Sequence, residues 1–281
     1  LWAEAERPLR VFDFFSLLNQ SYHGQSRNSQ TRVIKTPLVK NSIIKGHLPM
    51  SDTPFRPFET HIDEDAARDV VKKALVGAED GELFLERKRS EMLSFDDGTV
   101  KTASFDVTEG FGLRAVQGER VGFAHATDIS IGAMERSLGT VRLAIDGSAS
   151  PAPAPRKTNL KLYSDIDPIS EAEFPAKIDL LKEIDAYARG LDKRVVQCSV
   201  SLSASHQEVA ILRADDPVMT DIRPMVRLNV SVIVEQDGRR ESGGVGGGGR
   251  YSLTQVLDPA DWKPKVQEAL RVAVLNLDAV P

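Results

Sequence analysis

The strongest constraint on the fold is a long alternation of apolar and polar side chains over residues 224–235. Valine or leucine occupies every second position from Val226 to Val234, and the side chains between them are polar except for Ile233. A period of two over this length is typical of a strand in a sheet with one packed and one polar face. The Asp237-Gly238 pair that follows predicts a tight turn. We therefore expect an antiparallel sheet in the second half of the chain.

A separate structural unit is predicted over residues 60–146. Asp63 is a candidate N-cap for a first helix, Asp97-Gly98 marks a hairpin, and Asp128 can cap a last helix. Between the two helices, turn residues separate four segments rich in strand formers, at 82–95, 100–107, 111–116 and 121–127. The predicted order is helix, four strands, helix, which favours an α+β fold with a sheet covered on one face.

A proline-rich connector at 147–155 separates this unit from the next. Beyond it, the periodicity predicts a helix at 175–189, strands at 196–203, 209–213 and 224–235, and a terminal helix at about 259–280. We predict an α+β fold with two α/β-sheet domains. The predicted boundaries are an atypical leader at 1–59, a first domain at 60–146, a linker at 147–160, a second domain at 161–257 and the start of a further domain at 258–281.

The first 49 residues differ from the rest, with seven Lys/Arg against three acidic residues. One interpretation is a basic, flexible arm that binds an acidic partner. The interpretation that we prefer is that Met50 is the natural start and that the preceding residues are upstream sequence. Met50 is followed directly by an acidic segment and by a well-defined predicted helix.

The overall charge and the single cysteine limit the function classes. A net charge of −5 and 6% aromatic residues disfavour direct nucleic-acid binding, which usually shows a basic surface and stacking side chains. Cys198 is the only cysteine, so no intrachain disulfide can form, and we expect a cytoplasmic protein. No apolar run is long enough to span a membrane.

The sequence offers no nucleophile–base pair. None of the five histidines has a partner at a metal-ligand spacing, and His125 is interpreted as a structural residue. Cys198 falls in the apolar set of its predicted strand, which favours a core thiol over a nucleophile.

The most unusual segment is 243–249, where six of seven residues are glycine. It formally satisfies G-x-G-x-x-G, but it follows an antiparallel-type strand and no helix opens directly after it, so we exclude a dinucleotide site. Arg250-Tyr251 stands where a P-loop needs Lys and Ser/Thr. Glycines allow positive φ and the close approach of another backbone, such as a peptide added to a sheet edge. A flexible surface loop is the alternative.

Two segments resemble the TldD/PmbA metallopeptidases, also known as modulators of DNA gyrase. Residues 221–251, with Asp-Ile-Arg-Pro-Met-Val-Arg running into the glycine tract, resemble the central domain of the TldD type. Residues 105–130 resemble the amino-terminal domain, and Asp192-Lys-Arg-Val and residues 269–281 fit as well. The resemblance covers residues 60–281 in order.

The resemblance implies a cytosolic zinc peptidase subunit that pairs with a TldE/PmbA-type subunit, or with itself, and acts on unfolded or extended peptides. The family holds zinc with an H-E-x-x-x-H motif and a later cysteine, and the motif's glutamate activates water. That motif does not occur in these 281 residues. We therefore expect a truncated TldD with no catalytic residue, no metal ligand and no bound zinc of its own. Residues that we expect to border a peptide channel are Gly246, Gly247, Gly248, Gly249 and Arg250.

Two function classes remain open. The preferred one is part of a metallopeptidase, supplying peptide-channel and dimer surfaces. The alternative is a non-catalytic partner or peptide-binding subunit of the PmbA/TldE type. A DNA-binding factor is disfavoured by the acidic balance of residues 50–281.

Overall fold

All six strands join in one antiparallel sheet of order β3-β2-β1-β4-β5-β6. The structure, a computed structural model, describes residues 54–145 and 161–279. The predicted α+β class is confirmed. The strands are β1 (Asp80–Asp96), β2 (Thr99–Gln117), β3 (Arg120–Ala126), β4 (Val195–Leu212), β5 (Met219–Gln236) and β6 (Arg239–Gly249). The helices are α1 (Pro57–Thr60), α2 (Glu64–Ala74), α3 (Ile131–Leu143), α4 (Phe174–Leu191), α5 (Leu253–Leu257) and α6 (Pro259–Asp278).

The strands are longer and fewer than the sequence patterns predict. Four strands were expected before α3, but the segments at 100–107 and 111–116 are one continuous strand, β2. Likewise, the segments at 196–203 and 209–213 are both part of β4. The reason is that β1 pairs with β2 on one side and with β4 on the other along nearly its whole length. Backbone pairing therefore continues through Glu109-Gly110 and His206-Gln207, where the local sequence suggests breaks.

The two hairpin turns are as predicted. Asp97 and Gly98 both have positive φ, and so do Asp237 and Gly238. Positive φ at both central residues is the geometry of a two-residue turn that matches the twist of its strands. The first turn joins β1 to β2 and the second joins β5 to β6.

Both hydrophobic cores lie on the same face of the sheet. In β1, Leu83 and Leu85 belong to one core and Leu93 to the other. All three are odd-numbered positions of one strand, so their side chains point to the same face of the sheet. The first core packs α2 and α3 over β1–β3 and the end of β4. The second packs α4, α5 and α6 over β4–β6. Around Ser201 and Asn229 the opposite face bears small and polar side chains, whereas Glu86, Gln207 and Val209 on the same face are buried.

A row of buried polar groups lies between the two cores, on the helix-covered face. Lys177 of α4 donates to both carboxylate oxygens of Glu91 at 2.8 and 2.9 Å and to the carbonyl of Ile169 at 2.7 Å. Arg89 Nη2 lies 3.1 Å from Asp167 Oδ2 and 3.1 Å from His206 Nδ1. These pairs satisfy charges that would be costly to bury alone. They fix α4 and the segment before it onto the middle of the sheet.

The terminal helix packs its apolar side chains against the second core. Val266 is fully buried, and Leu270, Val274 and Leu277 pack against the second core. Trp262 is fully buried too, and its ring makes a T-shaped contact with that of Tyr187, with the ring centroids 5.4 Å apart. Asp258 caps the start of the helix, and its carboxylate accepts a hydrogen bond from Ala260 N.

The packed part of the chain begins earlier than the predicted boundary at residue 60. Phe55 is buried, and its backbone N–H donates to Glu208 Oε1 at 2.9 Å. Residues 1–53, with Met50 and the basic segment, and the proline-rich connector at 147–155 lie outside the described residues.

The backbones of β6 and α6 lie close together at Gly243. A Cβ at this position would overlap the backbone of Ala269 and Ala273 in α6. We therefore expect Gly243→Ala to lower the free energy of unfolding by about 1–3 kcal/mol, because a helix backbone must move to admit the methyl group. Urea unfolding measures the change.

Gly244→Ala is the matched control. Its Cβ would lie 3.5 Å from the nearest atom, an ordinary contact. The close-packing explanation fails if the two alanine variants unfold at the same urea concentration.

His206 gives the fold a pH dependence. Burial lowers the pKa of His206, and Arg89 acts in the same direction, whereas Asp167 opposes it. As the pH falls, His206 therefore becomes protonated in the unfolded chain before it does so in the folded protein. The stability that the neutral His206 contributes is complete above its ordinary pKa of 6.5 and is lost as the pH falls below that value. We expect His206→Gln, which retains an acceptor for Arg89, to reduce the slope of unfolding free energy against pH below 6.5 by at most about 1.4 kcal/mol per pH unit. Parallel slopes for the two proteins would contradict this assignment.

Candidate functional site

A cavity of about 340 Å³ lies on the open face of the sheet. Ser94 of β1, Ser201 of β4, Asn229 of β5 and Gly246 of β6 stand opposite one another in consecutive ladders, so they form one row across four strands. The neighbouring row adds Ser199, Ser231 and Gly244 to the lining. Period-two alternation brings these side chains to one face, and the strand register brings them together.

Two short hydrogen-bond chains hold the polar side chains of this cavity. Arg227 Nε donates to Asn229 Oδ1 at 2.9 Å, and Asn229 Nδ2 donates to Ser201 Oγ at 3.1 Å. Ser199 Oγ donates to Asp96 Oδ1 at 2.6 Å, as does Gln197 Nε2 at 2.8 Å. These two bonds, with the hydroxyl of Ser199 foremost, lower the pKa of Asp96. The carboxylate therefore remains charged beside the cavity at neutral pH.

The glycine tract forms the edge strand β6, not a flexible loop. None of its glycines has positive φ, and the tract pairs with β5 from Gly243↔Val232 to Gly249↔Val226. The backbone of α6 lies close to the tract at Gly243. The glycines of the tract do not adopt the positive φ angles that glycine permits. Since glycine has no Cβ, helix α6 can contact one side of the strand closely while the other side stays open.

The five residues expected to border a peptide channel do not share one surface. Gly246 lines the cavity, and a Cβ there would overlap Asn229 Oδ1. Gly248 is on the same face of β6 as Gly246 but does not line the cavity. Gly247 and Gly249 face Lys265 and Tyr251 on the helix side. The guanidinium of Arg250 lies over the ring of Tyr163, 4.9 Å from its centroid. Their contact with a peptide stays a prediction.

The sequence did not single out the serines and the asparagine as a group. Ser199, Ser201, Asn229 and Ser231 appear in it only as the polar half of two alternating strands. Residues 94 and 246 belong to other strands, so only the register shows that they are neighbours.

The cavity is equipped for hydrogen bonding and has no catalytic base. Its lining contains hydroxyls, an amide and backbone, and neither a histidine nor a cysteine. Cys198 faces the helices, where burial raises its pKa to about 12, so it is not a nucleophile at neutral pH. His125, interpreted from sequence as structural, lies on the exposed strand β3 with its ring 5.9 Å from that of Phe123.

The described residues do not fit the zinc that the sequence resemblance implies. Within residues 54–145 and 161–279, no three His, Cys, Asp or Glu side chains are grouped as a metal ion requires. Over the same residues, no helix is long and apolar enough to cross a membrane.

The fold is shared with several solved structures. Proposed modulators of DNA gyrase from Bacteroides thetaiotaomicron and Thermotoga maritima align with TM-scores of 0.58 and 0.57 at 15% identity, each over 75% of this chain and 49% and 46% of theirs. TldE from Thermococcus kodakarensis aligns with a TM-score of 0.54 at 16% identity, over 73% of this chain and 46% of its own. These likenesses define the fold class.

Sequence comparison defines the family. The model of the PmbA/TldA metallopeptidase central domain matches residues 167–277, and that of PmbA/TldA metallopeptidase domain 1 matches residues 81–146. The chain belongs to the PmbA/TldD metallopeptidase family. A metalloprotease TldD homolog of Haemophilus influenzae is 35% identical over 207 residues, and two from Buchnera aphidicola are 34% and 30% identical. In each case the match covers 71% of this chain and 43% of the relative.

Proposed function

We propose that this chain forms the peptide-binding part of a TldD-type metallopeptidase. An extended peptide lies on the open face of the sheet, across the cavity next to β6. The single observation that supports this proposal is the row from Ser94 to Gly246, in which four strands present hydroxyl, amide and glycine positions at one level.

The chemistry of the row suits an unfolded peptide. Ser201 and Asn229 carry donors and acceptors that match backbone amides without selecting a side chain. Gly244 and Gly246 present no side chain, so a second backbone can come close to the sheet surface. A folded substrate would not reach these groups, because a peptide backbone is available for such bonds only where it is extended.

The hydrolytic step belongs to a metal centre that we do not assign to any described residue. The TldD type is favoured because the three relatives described above, at 30–35% identity, are TldD homologs. The chain spans 43% of their length, and H-E-x-x-x-H does not occur in its sequence. We therefore propose that it represents the amino-terminal and central portions of such an enzyme, with zinc held elsewhere in the complete protein.

A TldE/PmbA-type subunit is the proposed partner. The fold shared with TldE supports a common architecture for the two halves of such a pair. The alternative function, a non-catalytic peptide-binding subunit of the PmbA/TldE type, rests on the same fold and on the absence of a base in the cavity lining. In both cases the peptide contacts the same face.

Peptide binding can be tested by filling the cavity. We expect Ser201→Phe to weaken the binding of fluorescein-labelled, alkylated casein peptides about tenfold, because the ring would occupy the centre of the row. Fluorescence anisotropy measures the affinity.

Ser205→Phe is the matched control, since Ser205 lies on the same face of β4 but outside the lining. Equal affinities of the two variants and the parent chain would exclude the cavity as the peptide site.

The catalytic assignment is tested by metal analysis. We expect the 281-residue chain to hold no stoichiometric zinc and to cleave no peptide, alone or mixed with a TldE-type subunit, because its sequence lacks the H-E-x-x-x-H ligands. Atomic absorption and a quenched-peptide assay measure the two properties. Zinc bound one to one would place the metal site within this chain.

A further inference from the structure

The outer edge of β2 is open over residues 99–108, whereas Gly110 is buried beside Ala126 and Thr127. Strand β3 pairs only with the second part of β2, from Phe111 to Gln117. No other strand of the described residues pairs with the outer side of the first part, which carries no proline. Side chains from Thr99 to Val107 are exposed on both faces, apart from the half-buried Ser104. A long edge of this kind offers a row of backbone donors and acceptors to another strand.

Apolar side chains are exposed along this edge. Val100, Phe105 and Val107 are 41%, 43% and 52% exposed. Soluble proteins usually protect such an edge with charges, proline or a covering element. Here the first part of β2 has only Lys101 at one end, and Asp106 and Glu109 toward the other.

The arrangement of these residues is self-complementary. An antiparallel pair of identical strands related by a two-fold axis normal to the sheet keeps each face continuous, so odd positions oppose odd positions. If the axis passes at Phe105, the two Phe105 rings oppose each other. From the axis outward, the opposed pairs are Ser104 with Asp106, Ala103 with Val107, Thr102 with Thr108, and Lys101 with Glu109. Each occurs twice.

The two neighbouring registers are poorer. Moving the axis toward Thr99 sets Lys101 opposite Val107. Moving it the other way sets Ala103 opposite Glu109 and brings Asp106 opposite its own copy. Opposite charges stabilise cross-strand pairs and like charges destabilise them, so the register at Phe105 is favoured. Glu109 also contacts Arg87 and is 30% exposed, which leaves it accessible to a second chain.

We propose that a second copy of this chain pairs with the β2 edge, antiparallel and in register at Phe105. The sheet then continues from one protomer into the other, and the exposed apolar side chains of both edges cover one another. The surface is separate from the proposed peptide site, because no residue of β2 lines the cavity.

Single cysteines test the register directly. Cys198 is buried and is the only native cysteine, so an introduced thiol on β2 is the reactive one. With a short bismaleimide, Phe105→Cys is expected to give a covalent dimer. Ala103→Cys alone is not, because its two copies lie about 13 Å apart along the strands. An equimolar mixture of Ala103→Cys and Val107→Cys is expected to cross-link.

A charge reversal provides an independent measurement. Sedimentation equilibrium of the unmodified chain is expected to show a dimer. Lys101→Glu would place like charges opposite each other twice, and we expect about tenfold weaker dimerisation. Lys193→Glu changes the net charge equally outside the edge and should leave the dimer unchanged.

Three results would overturn the proposal. One is a monomeric chain, including one that associates only with a TldE-type subunit. Another is cross-linking of Ala103→Cys alone to the same extent as Phe105→Cys. The third is an identical dimer affinity for Lys101→Glu and the unmodified chain.

Discussion

The long antiparallel pairing of β1 with β4 is the interaction on which the rest of the structure depends. It joins Leu83↔Leu212 to Asp96↔Ser199 without a register shift. These strands come from the two sequence units on either side of the proline-rich connector, so each unit completes the sheet of the other. Because side chains alternate between the two faces of a strand, this one register places both hydrophobic cores on the same side and brings Ser94 and Ser201 together on the opposite side.

The two faces have different physical tasks. The helix-covered face buries the apolar half of each alternation, and the ion pairs of Lys177 and Arg89 fill the gap between its two cores. The open face is lined by serine, asparagine and glycine around the cavity, while Glu86, Gln207 and Val209 farther along the same face are buried. The glycines of β6 affect both faces of the sheet. Gly243 lets the backbone of α6 pack closely on one face, and Gly246 leaves space without a side chain at the cavity on the other face. The stability of the terminal helix and the shape of the proposed peptide site thus depend on one short segment.

Membership of the PmbA/TldD family is consistent with a sheet whose cavity lining consists of hydroxyls, an amide and backbone. The family models match its two halves, whereas the chain covers 43% of the related metalloproteases. In the proposed function, these residues hold and orient an extended peptide while a metal centre elsewhere in the complete enzyme performs hydrolysis. The open edge of β2 is independent of that task and is suited to assembly.

The sequence alone determined the α+β class, the two Asp-Gly hairpins, the apolar face of β5 and the family. Each of these depends on local periodicity, on backbone preferences within two residues or on a contiguous motif. Only the tertiary structure decided that β2 and β4 are single strands, that the glycine tract is a strand, and that Ser94, Ser201, Asn229 and Gly246 are neighbours. Glycines carry no side-chain period, and a break at Gly110 or His206 is overridden by backbone pairing with a distant strand. Strand register is a long-range property, because it is set by contacts between residues far apart in the chain, and local sequence does not encode it.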